Sequence, residues 1–224
     1  ISEVKGIASV HIDYVRYCDV FLPSTLQKKY KIEQREVLHE YDYGYHPIAR
    51  NGFKEIFDRD PQDMEHPELS TELEDDPAMI GRQSNFTTVY LLKNSDGSLD
   101  KVILPIYGYG LWSTLYGFIA LEENGNDIFG LQFYEHAETP GLGGEVDSDA
   151  FKSQWMEENA TLDANGKVII EVAKAGQAAE GEIDGLAGAT ITTQGVDKLI
   201  KYWLGPDGFG PFLVGNGSKF GEVA

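Results

Sequence analysis

The sequence predicts an α+β fold in which a largely antiparallel sheet is flanked by helices. Three observations support this class: four β-rich apolar segments follow one another between residues 86 and 135, turn signals separate them, and the clearest helical pattern comes later. With 224 residues, 42% of them hydrophobic, the chain can bury a sizeable core. We expect residues 86–224 to form this core and residues 1–85 to form a helical and loop region that packs on it.

The N-terminal region is predicted from two segments. Residues 22–41, "LPSTLQKKYKIEQREVLHEY", indicate a helix with Ser24 or Thr25 near its N-cap. Residues 42–85 are polar and rich in proline, which favours surface loops and short helices. The acidic run "ELEDDP" at 72–77 lacks the alternating spacing of a calcium-binding loop, so we interpret it as a solvated surface and propose no sodium site.

Four segments of the central chain predict a β-meander: "FTTVYLL" (86–92), "KVILPI" (101–106), "LYGFIAL" (115–121) and "IFGLQFYE" (128–135). Asp96-Gly97 and Asn124-Gly125 provide turns, and Asn165-Gly166 precedes a further strand-like segment, "KVIIEVA" (167–173). The uncharged stretch 102–121 is long enough to span a bilayer, but its proline and glycines interrupt a helix. Two buried strands around a turn at "YGYG" fit it better.

Two helices are expected to cover the sheet. The first lies around residues 151–159, and the second begins near Thr190. In the second, the i, i+3, i+4, i+7 spacing of one apolar face is followed by Gly205-Pro206, which ends a helix. The apolar positions are Val196, Leu199, Ile200 and Trp203.

The composition argues against several classes of function. Eighteen basic and 37 acidic residues give a formal charge of −19, which repels nucleic acid and anionic lipid surfaces. The single cysteine, Cys18, makes neither an internal disulfide nor a CxxC metal site. His136 is interpreted as structural and Lys174 as a solvated surface residue. The sequence also shows no catalytic triad, metal-ligand spacing or P-loop, so we assign no catalytic or metal-binding residue.

Small residues precede Thr190 where the last long helix begins. The first turn of a helix presents unpaired N–H groups and the positive end of the dipole, so a phosphate placed there is stabilised. A turn at Asp184-Gly185 leads to three small residues that leave room for a large group against the backbone; these are Ala187, Gly188 and Ala189. The alternative is that Thr190 simply caps the helix.

A second small-residue loop, "ETPGLGG" at 138–144, follows the strand 128–135. Its glycines let the backbone approach a planar ligand, and Leu142 is placed to cover a ring face. Glu138 and Thr139 are candidates to meet the polar edges of the ring. An ordinary glycine-rich turn is the alternative.

The segment "DGLAGATITTQGV" (184–196) resembles the flavinylation motif of FMN-binding domains. With three further blocks, which occur in the same order, the chain is similar to the NqrC family, the C subunits of sodium-translocating NADH:quinone reductases. The blocks are "DKVILPIYGYGLWS" (100–113), "YEHAETPGLGGEV" (134–146) and "YWLGPDGFGPFL" (202–213). The resemblance covers residues 86–213, and the motif departs from the usual one at Ala187, where serine or threonine is typical.

This resemblance implies one FMN attached by a phosphoester to the hydroxyl of Thr190, installed by a separate flavin transferase. It implies electron transfer between the other membrane subunits of a sodium-pumping reductase, with no substrate turnover by the chain alone. The domain would lie on the periplasmic side of a bacterial inner membrane, anchored by an N-terminal transmembrane helix missing from this sequence.

The resemblance also defines a set of cofactor contacts. It favours Trp112 as a ligand contact, accompanied by Leu111 and Ser113. The full set of cofactor-binding residues is Thr190, Asp184, Gly185, Leu186, Ala187, Gly188, Ala189, Glu138, Thr139, Gly141, Leu142, Gly143, Leu111 and Trp112.

Three functional alternatives stay open. The first is the FMN-carrying G subunit of a ferredoxin:NAD oxidoreductase complex, although "GYGLWS" and "GFGPFL" favour the NqrC family. The second is a module that binds an aromatic small molecule noncovalently, and the third is a structural domain without a ligand.

Overall fold

A six-stranded antiparallel sheet forms the centre of the molecule. The computed structural model describes residues 7–16, 45–46, 70–84, 86–94, 98–156 and 160–216. The strand order is β2-β1-β5-β6-β7-β8, and a separate two-stranded sheet pairs β3 with β4. The strands are β1 (Ile7–Arg16), β2 (Tyr45–His46), β3 (Ser70–Glu72), β4 (Arg82–Ser84), β5 (Phe86–Asn94), β6 (Leu99–Tyr109), β7 (Thr114–Glu122) and β8 (Ile128–Glu135).

The predicted meander is confirmed as β5 to β8. In β6 and β7 alternate side chains are buried, as expected for strands with one face on the core. The uncharged stretch 102–121 forms most of these two strands, and the turn between them lies at 110–113, so it begins at the last residue of "YGYG". None of the helices in the described part of the chain has the length and apolar character needed to cross a membrane.

Among the described residues after β8 there are three α-helices, α1 (Asp149–Gln154), α2 (Thr190–Leu204) and α3 (Gly210–Asn216), with a short 3₁₀ helix at Gly143–Asp147 before α1. The predicted apolar face of α2 is confirmed, because all four of its predicted positions are buried. A Cβ placed on Gly108 of β6 would lie 2.6 Å from Leu199 Cβ, so helix and sheet approach closely there. Helix α2 ends at Leu204, directly before Gly205, as predicted.

Two predicted elements differ from the structure. The segment 167–173 is not a strand of the sheet: it forms only isolated bridges, Leu162 with Val168 and Val172 with Ile183. The N–H of Val172 donates to Asp197 Oδ1 of α2 (3.0 Å), so a side chain replaces a strand partner. Helix α1 is shorter than the expected 151–159, and the Ser148 hydroxyl caps its start by accepting from Phe151 N.

The N-terminal predictions are tested only in part. The expected helix at 22–41 and the turn at Asp96-Gly97 lie outside the described residues. Strand β1 pairs along β5 in the main sheet, so residues 7–16 form a strand rather than the expected helix or loop. The boundary at residue 85 stays a prediction, although the sheet extends across it.

Candidate functional site

Three segments that are distant in sequence meet at the start of α2. They are the turn 110–113 after β6, the loop 136–144 after β8, and the residues around 184–193. The Glu138 carboxylate joins them: Oε1 accepts from the N–H groups of residues 111, 112 and 113 (3.0, 2.8 and 3.2 Å), and Oε2 accepts from Thr192 Oγ1 (2.7 Å). The fold therefore brings together the three regions that the sequence pointed to.

Helix α2 begins at Thr190, whose side chain is exposed. Ala189 occupies the N-cap with φ −128° and ψ 50°, and no described side chain caps this end. Thr190 is thus the first helical residue and not the cap, so the capping interpretation is wrong. The first backbone bond into the helix runs from Thr193 N to Ala189 O (2.9 Å), so three N–H groups precede it at the positive end of the dipole.

The loop before Thr190 divides into buried supports and exposed small residues. Leu186 is buried, and its N–H donates to Thr193 Oγ1 (3.0 Å). Asp184 Oδ1 accepts from Gly176 N (2.6 Å), so this carboxylate fixes the neighbouring turn. Gly185 lies against the chain at 173–175 and Thr193, whereas Ala187 and Gly188 are exposed. Asp184, Gly185 and Leu186 therefore build the loop, and space lies beside Ala187 and Gly188.

The glycine loop supplies an exposed apolar side chain to the same place. Leu142 is 43% exposed, and its Cδ2 would lie 3.1 Å from a Cβ placed on Gly188. Gly141 has φ +77°, which glycine adopts without strain. Thr139 is exposed, and its carbonyl accepts from the N–H groups of Leu142 and Gly144. The loop closes on itself and presents Leu142 beside the Thr190 segment.

The turn after β6 contributes Trp112, which is 65% exposed. Its carbonyl accepts from the Tyr109 hydroxyl (3.2 Å), and its N–H is held by Glu138. Leu111 is half-buried next to it. Trp112 and Leu142 are thus large apolar side chains left exposed on two loops joined to the same helix turn, which suits a planar aromatic ligand.

Glu138 itself is 5% exposed. Burial alone raises the pKa of a carboxyl, but the hydrogen bonds from the backbone of 111–113 and from Thr192 outweigh it and lower the pKa of Glu138. Both carboxylate oxygens already have protein donors. The expectation that Glu138 meets a ring edge therefore has a competing explanation, while Thr139 stays exposed.

Two hydrogen bonds that hold the site were not predicted from the sequence, although Ser113 was expected to accompany Trp112. Thr192 donates to Glu138, and Ser113 Oγ accepts from Ala137 N (2.7 Å). His136 pairs through Nε2 with Asp147 (2.8 Å), while its Nδ1 accepts from Glu138 N (3.2 Å), an arrangement consistent with the structural role predicted for it. No local sequence signal marks Thr192 or Ser113 for these contacts, because their partners come from other parts of the chain.

Other candidates stay apart from this arrangement. Lys174 is exposed, in the turn held by Asp184. In the part of the chain that the structure describes, no group of three or more His, Cys, Asp or Glu side chains is placed to hold a metal ion.

The three converging segments lie within residues 110–205, which match the family model of the FMN-binding domain. The match covers the part of the chain that holds the candidate site. All three segments of the candidate site therefore lie in the region that resembles an FMN-binding domain, including Thr190 and both exposed apolar side chains.

The chain is similar in sequence to curated proteins that share one name. The chain is 51% identical over 146 residues to the C subunit of the Na(+)-translocating NADH-quinone reductase of Pseudomonas aeruginosa, covering 62% of this chain and 55% of that one. Over 143 residues it is 48% identical to the same subunit of Vibrio parahaemolyticus, covering 63% and 54%. The chain thus spans just over half the length of these relatives.

A solved structure confirms the fold. The crystal structure of NqrC from Shewanella oneidensis aligns with a TM-score of 0.68 and 28% identity, covering 92% of this chain and 83% of that one. The α+β class predicted from the sequence is confirmed, as is the resemblance to NqrC.

Proposed function

We propose that this chain carries FMN covalently on Thr190 and relays electrons as the FMN-binding part of an NqrC protein in a sodium-translocating NADH:quinone reductase. The observation that carries the proposal is the exposed Thr190 hydroxyl at the uncapped start of α2, inside an FMN-binding domain. The names of the curated relatives support the choice of complex.

The start of α2 suits a phosphate diester on Thr190. Such a diester keeps one negative charge, and the first-turn N–H groups and the helix dipole stabilise it without a cationic side chain. This matters in a chain whose formal charge is −19. The exposed positions Ala187 and Gly188 add no bulk beside the ester.

The ring system would lie against the exposed apolar side chains. Trp112 and Leu142 would provide apolar contact area, and the exposed Thr139 would be a polar partner. Bound FMN would supply reversible uptake and release of electrons. The chain's own task is to hold the flavin in a defined place and exclude water from part of it, which requires no general acid or base from these residues.

The proposal includes two kinds of partner, of which the relatives' names imply only the other subunits of the complex. Other subunits of the membrane complex exchange electrons with the domain, and a flavin transferase attaches the FMN. The domain faces the periplasm of a bacterial cell. We expect no substrate turnover by the chain alone, because its proposed role is to carry the redox group between partners.

The experiment is co-expression of the exported chain with a flavin transferase, followed by denaturation, in-gel fluorescence and intact mass. We expect the mass to rise by one FMN less one water, on the peptide that contains Thr190. Thr190→Ala should remove the modification, whereas Thr71→Ala makes the same change at an exposed threonine of β3 and should keep it.

Two results would refute the proposal. A Thr190→Ala chain that still carries flavin after denaturation would place the attachment elsewhere. A wild-type chain that stays unmodified beside a modified control protein, yet binds flavin reversibly, would favour the noncovalent module instead.

A further inference from the structure

We infer that Glu138 is a positioning residue, which fixes the Trp112 turn relative to the first turn of α2 and contacts the protein rather than the flavin. The inference rests on the proposed attachment of FMN to Thr190, because only then do Trp112 and α2 face a common ligand. It gives a task to a buried carboxylate that needs no catalytic role.

The hydrogen bonds of Glu138 account for both of its oxygens. Oε1 receives three consecutive backbone N–H groups, 111 to 113, at 2.8–3.2 Å, and Oε2 receives the Thr192 hydroxyl at 2.7 Å. Thr192 is itself fully buried. Hydrogen bonds to an ionised acceptor are about twice as strong as those between neutral groups, so this one side chain holds two segments firmly.

Two glycines enclose the carboxylate. A Cβ on Gly110 would lie 2.7 Å from Oε1, and a Cβ on Gly143 would lie 2.6 Å from Oε2 and equally close to Thr192 Oγ1. A larger residue at either position would displace the carboxylate. The close fit explains why small residues stand at these two places, independently of any contact with a ligand.

The backbone of Glu138 is held as well as its side chain. Its N–H donates to His136 Nδ1 (3.2 Å), and His136 pairs through Nε2 with Asp147 (2.8 Å). The preceding residue, Ala137, donates its N–H to Ser113 Oγ (2.7 Å). The end of β8 is thereby joined to the 110–113 turn at two adjacent residues, so the carboxylate enters the turn from a fixed direction.

The consequence concerns the ligand geometry. Trp112 is 65% exposed, and the hydrogen bond from its N–H to Glu138 fixes its backbone. Shortening the side chain of Glu138 should release the turn and move the indole relative to Thr190. The substitution leaves Thr190 and the preceding residues 184–189 unchanged, so attachment should persist while the surroundings of the ring change.

The test uses four variants of the full chain, with and without FMN. Glu138→Ala removes the acceptor; Glu138→Asp keeps the charge but shortens the reach by one methylene; Glu138→Gln keeps the reach but not the charge. Glu135→Ala is the control at an exposed position of β8. The readouts are hydrogen exchange of the 111–113 amides and the visible circular dichroism of the attached flavin.

We expect exchange at 111–113 to become roughly tenfold faster in Glu138→Ala and in Glu138→Asp, the change that corresponds to losing one hydrogen bond to a charged acceptor. Glu138→Gln should show a smaller acceleration, because its neutral oxygen still reaches the 111–113 amides but accepts more weakly. The flavin dichroism should change most in the Ala and Asp variants and less in the Gln variant. If Glu138→Ala does not fold, the comparison of Asp with Gln decides.

Two outcomes would overturn the inference. In the first, Glu138→Ala and Glu135→Ala give the same amide exchange and the same flavin dichroism. In the second, Glu138→Asp matches wild type while Glu138→Gln is strongly changed, which would show that the charge of the side chain matters rather than its length. A wild-type chain without covalent FMN would contradict the proposed function instead, and the exchange measurement on unmodified protein would still test Glu138.

Discussion

Substitution of Gly188 by alanine tests two effects in the loop before Thr190: the left-handed backbone at this position and the contact with Leu142 of the 138–144 loop. Gly188 has φ +73°, and its added Cβ would lie 3.1 Å from Leu142 Cδ2. Gly181 has a similar φ of +84°, but nothing lies within 4 Å of an added Cβ. Gly181→Ala therefore reproduces the backbone strain without the steric contact.

The expected loss of stability follows from the backbone. A left-handed conformation costs an alanine about 1–2 kcal/mol in the folded state. Alanine also lowers the conformational entropy of the unfolded chain, which offsets about 0.4–1 kcal/mol of this cost. The free energy of unfolding of each variant should therefore fall by roughly 1 kcal/mol. For a domain of this size the melting temperature should fall by about 2–4 °C. Since Leu142 is 43% exposed and can move aside, the contact should add less than about 0.5 kcal/mol.

The assay combines thermal unfolding of the unmodified chain with the flavinylated fraction measured by intact mass. We expect similar destabilisation in both variants, and a reduced flavinylated fraction only in Gly188→Ala, because Leu142 is displaced beside Thr190. Equal flavinylation of the two variants would refute the reasoning about the contact. Unchanged stability of both would refute the reasoning about strain.

Three further predictions concern helix α2, the buried carboxylate and the exposed tryptophan. A Cβ on Gly195 would lie 2.5 Å from Tyr109 O, so Gly195→Ala should cost about 1 kcal/mol in urea unfolding despite its better helix propensity, whereas exposed Gln194→Ala should change little. The pKa of Glu138 is lowered in the folded chain, so its ionised form contributes fully to the free energy of unfolding above about pH 5. This contribution is lost as the pH falls below the unfolded pKa of about 4.3. The stability difference between wild type and Glu138→Gln should therefore shrink on acidification, and a constant difference would contradict this. Trp112→Leu should leave the unfolding free energy within about 0.5 kcal/mol but change the flavin's visible dichroism, and an unchanged spectrum would remove Trp112 from the ligand contacts.

Local patterns predicted most of the described fold. Alternation and turn residues located β5 to β8, because strands with one buried face must alternate. The 3.6-residue spacing located α2, whose start at Thr190 and end before Gly205 both follow local rules. The motif around Thr190 was also local, so its place at a helix start could be predicted from the sequence.

The local patterns failed where a segment's hydrogen-bond partners lie far away in the sequence. The segment 167–173 has the composition of a strand, but it forms only isolated bridges, and the N–H of Val172 donates to the Asp197 side chain of α2 rather than to a strand. The N-terminal strand β1 has its partner in β5, far along the chain. A periodic pattern of apolar residues covers about ten to twenty neighbouring positions, and neither partner lies that close in the sequence.

The sequence by itself thus determined strands β5 to β8, helix α2 and the placement of Thr190 at the start of that helix. Only the tertiary structure decided how the site is held: Glu138 binds amides 25 to 27 residues before it and a hydroxyl 54 residues after it. A loop glutamate carries no local sign of such partners. Its buried charge is stable only where the fold brings those four donors together, because an ionised group without them would cost far more to remove from water.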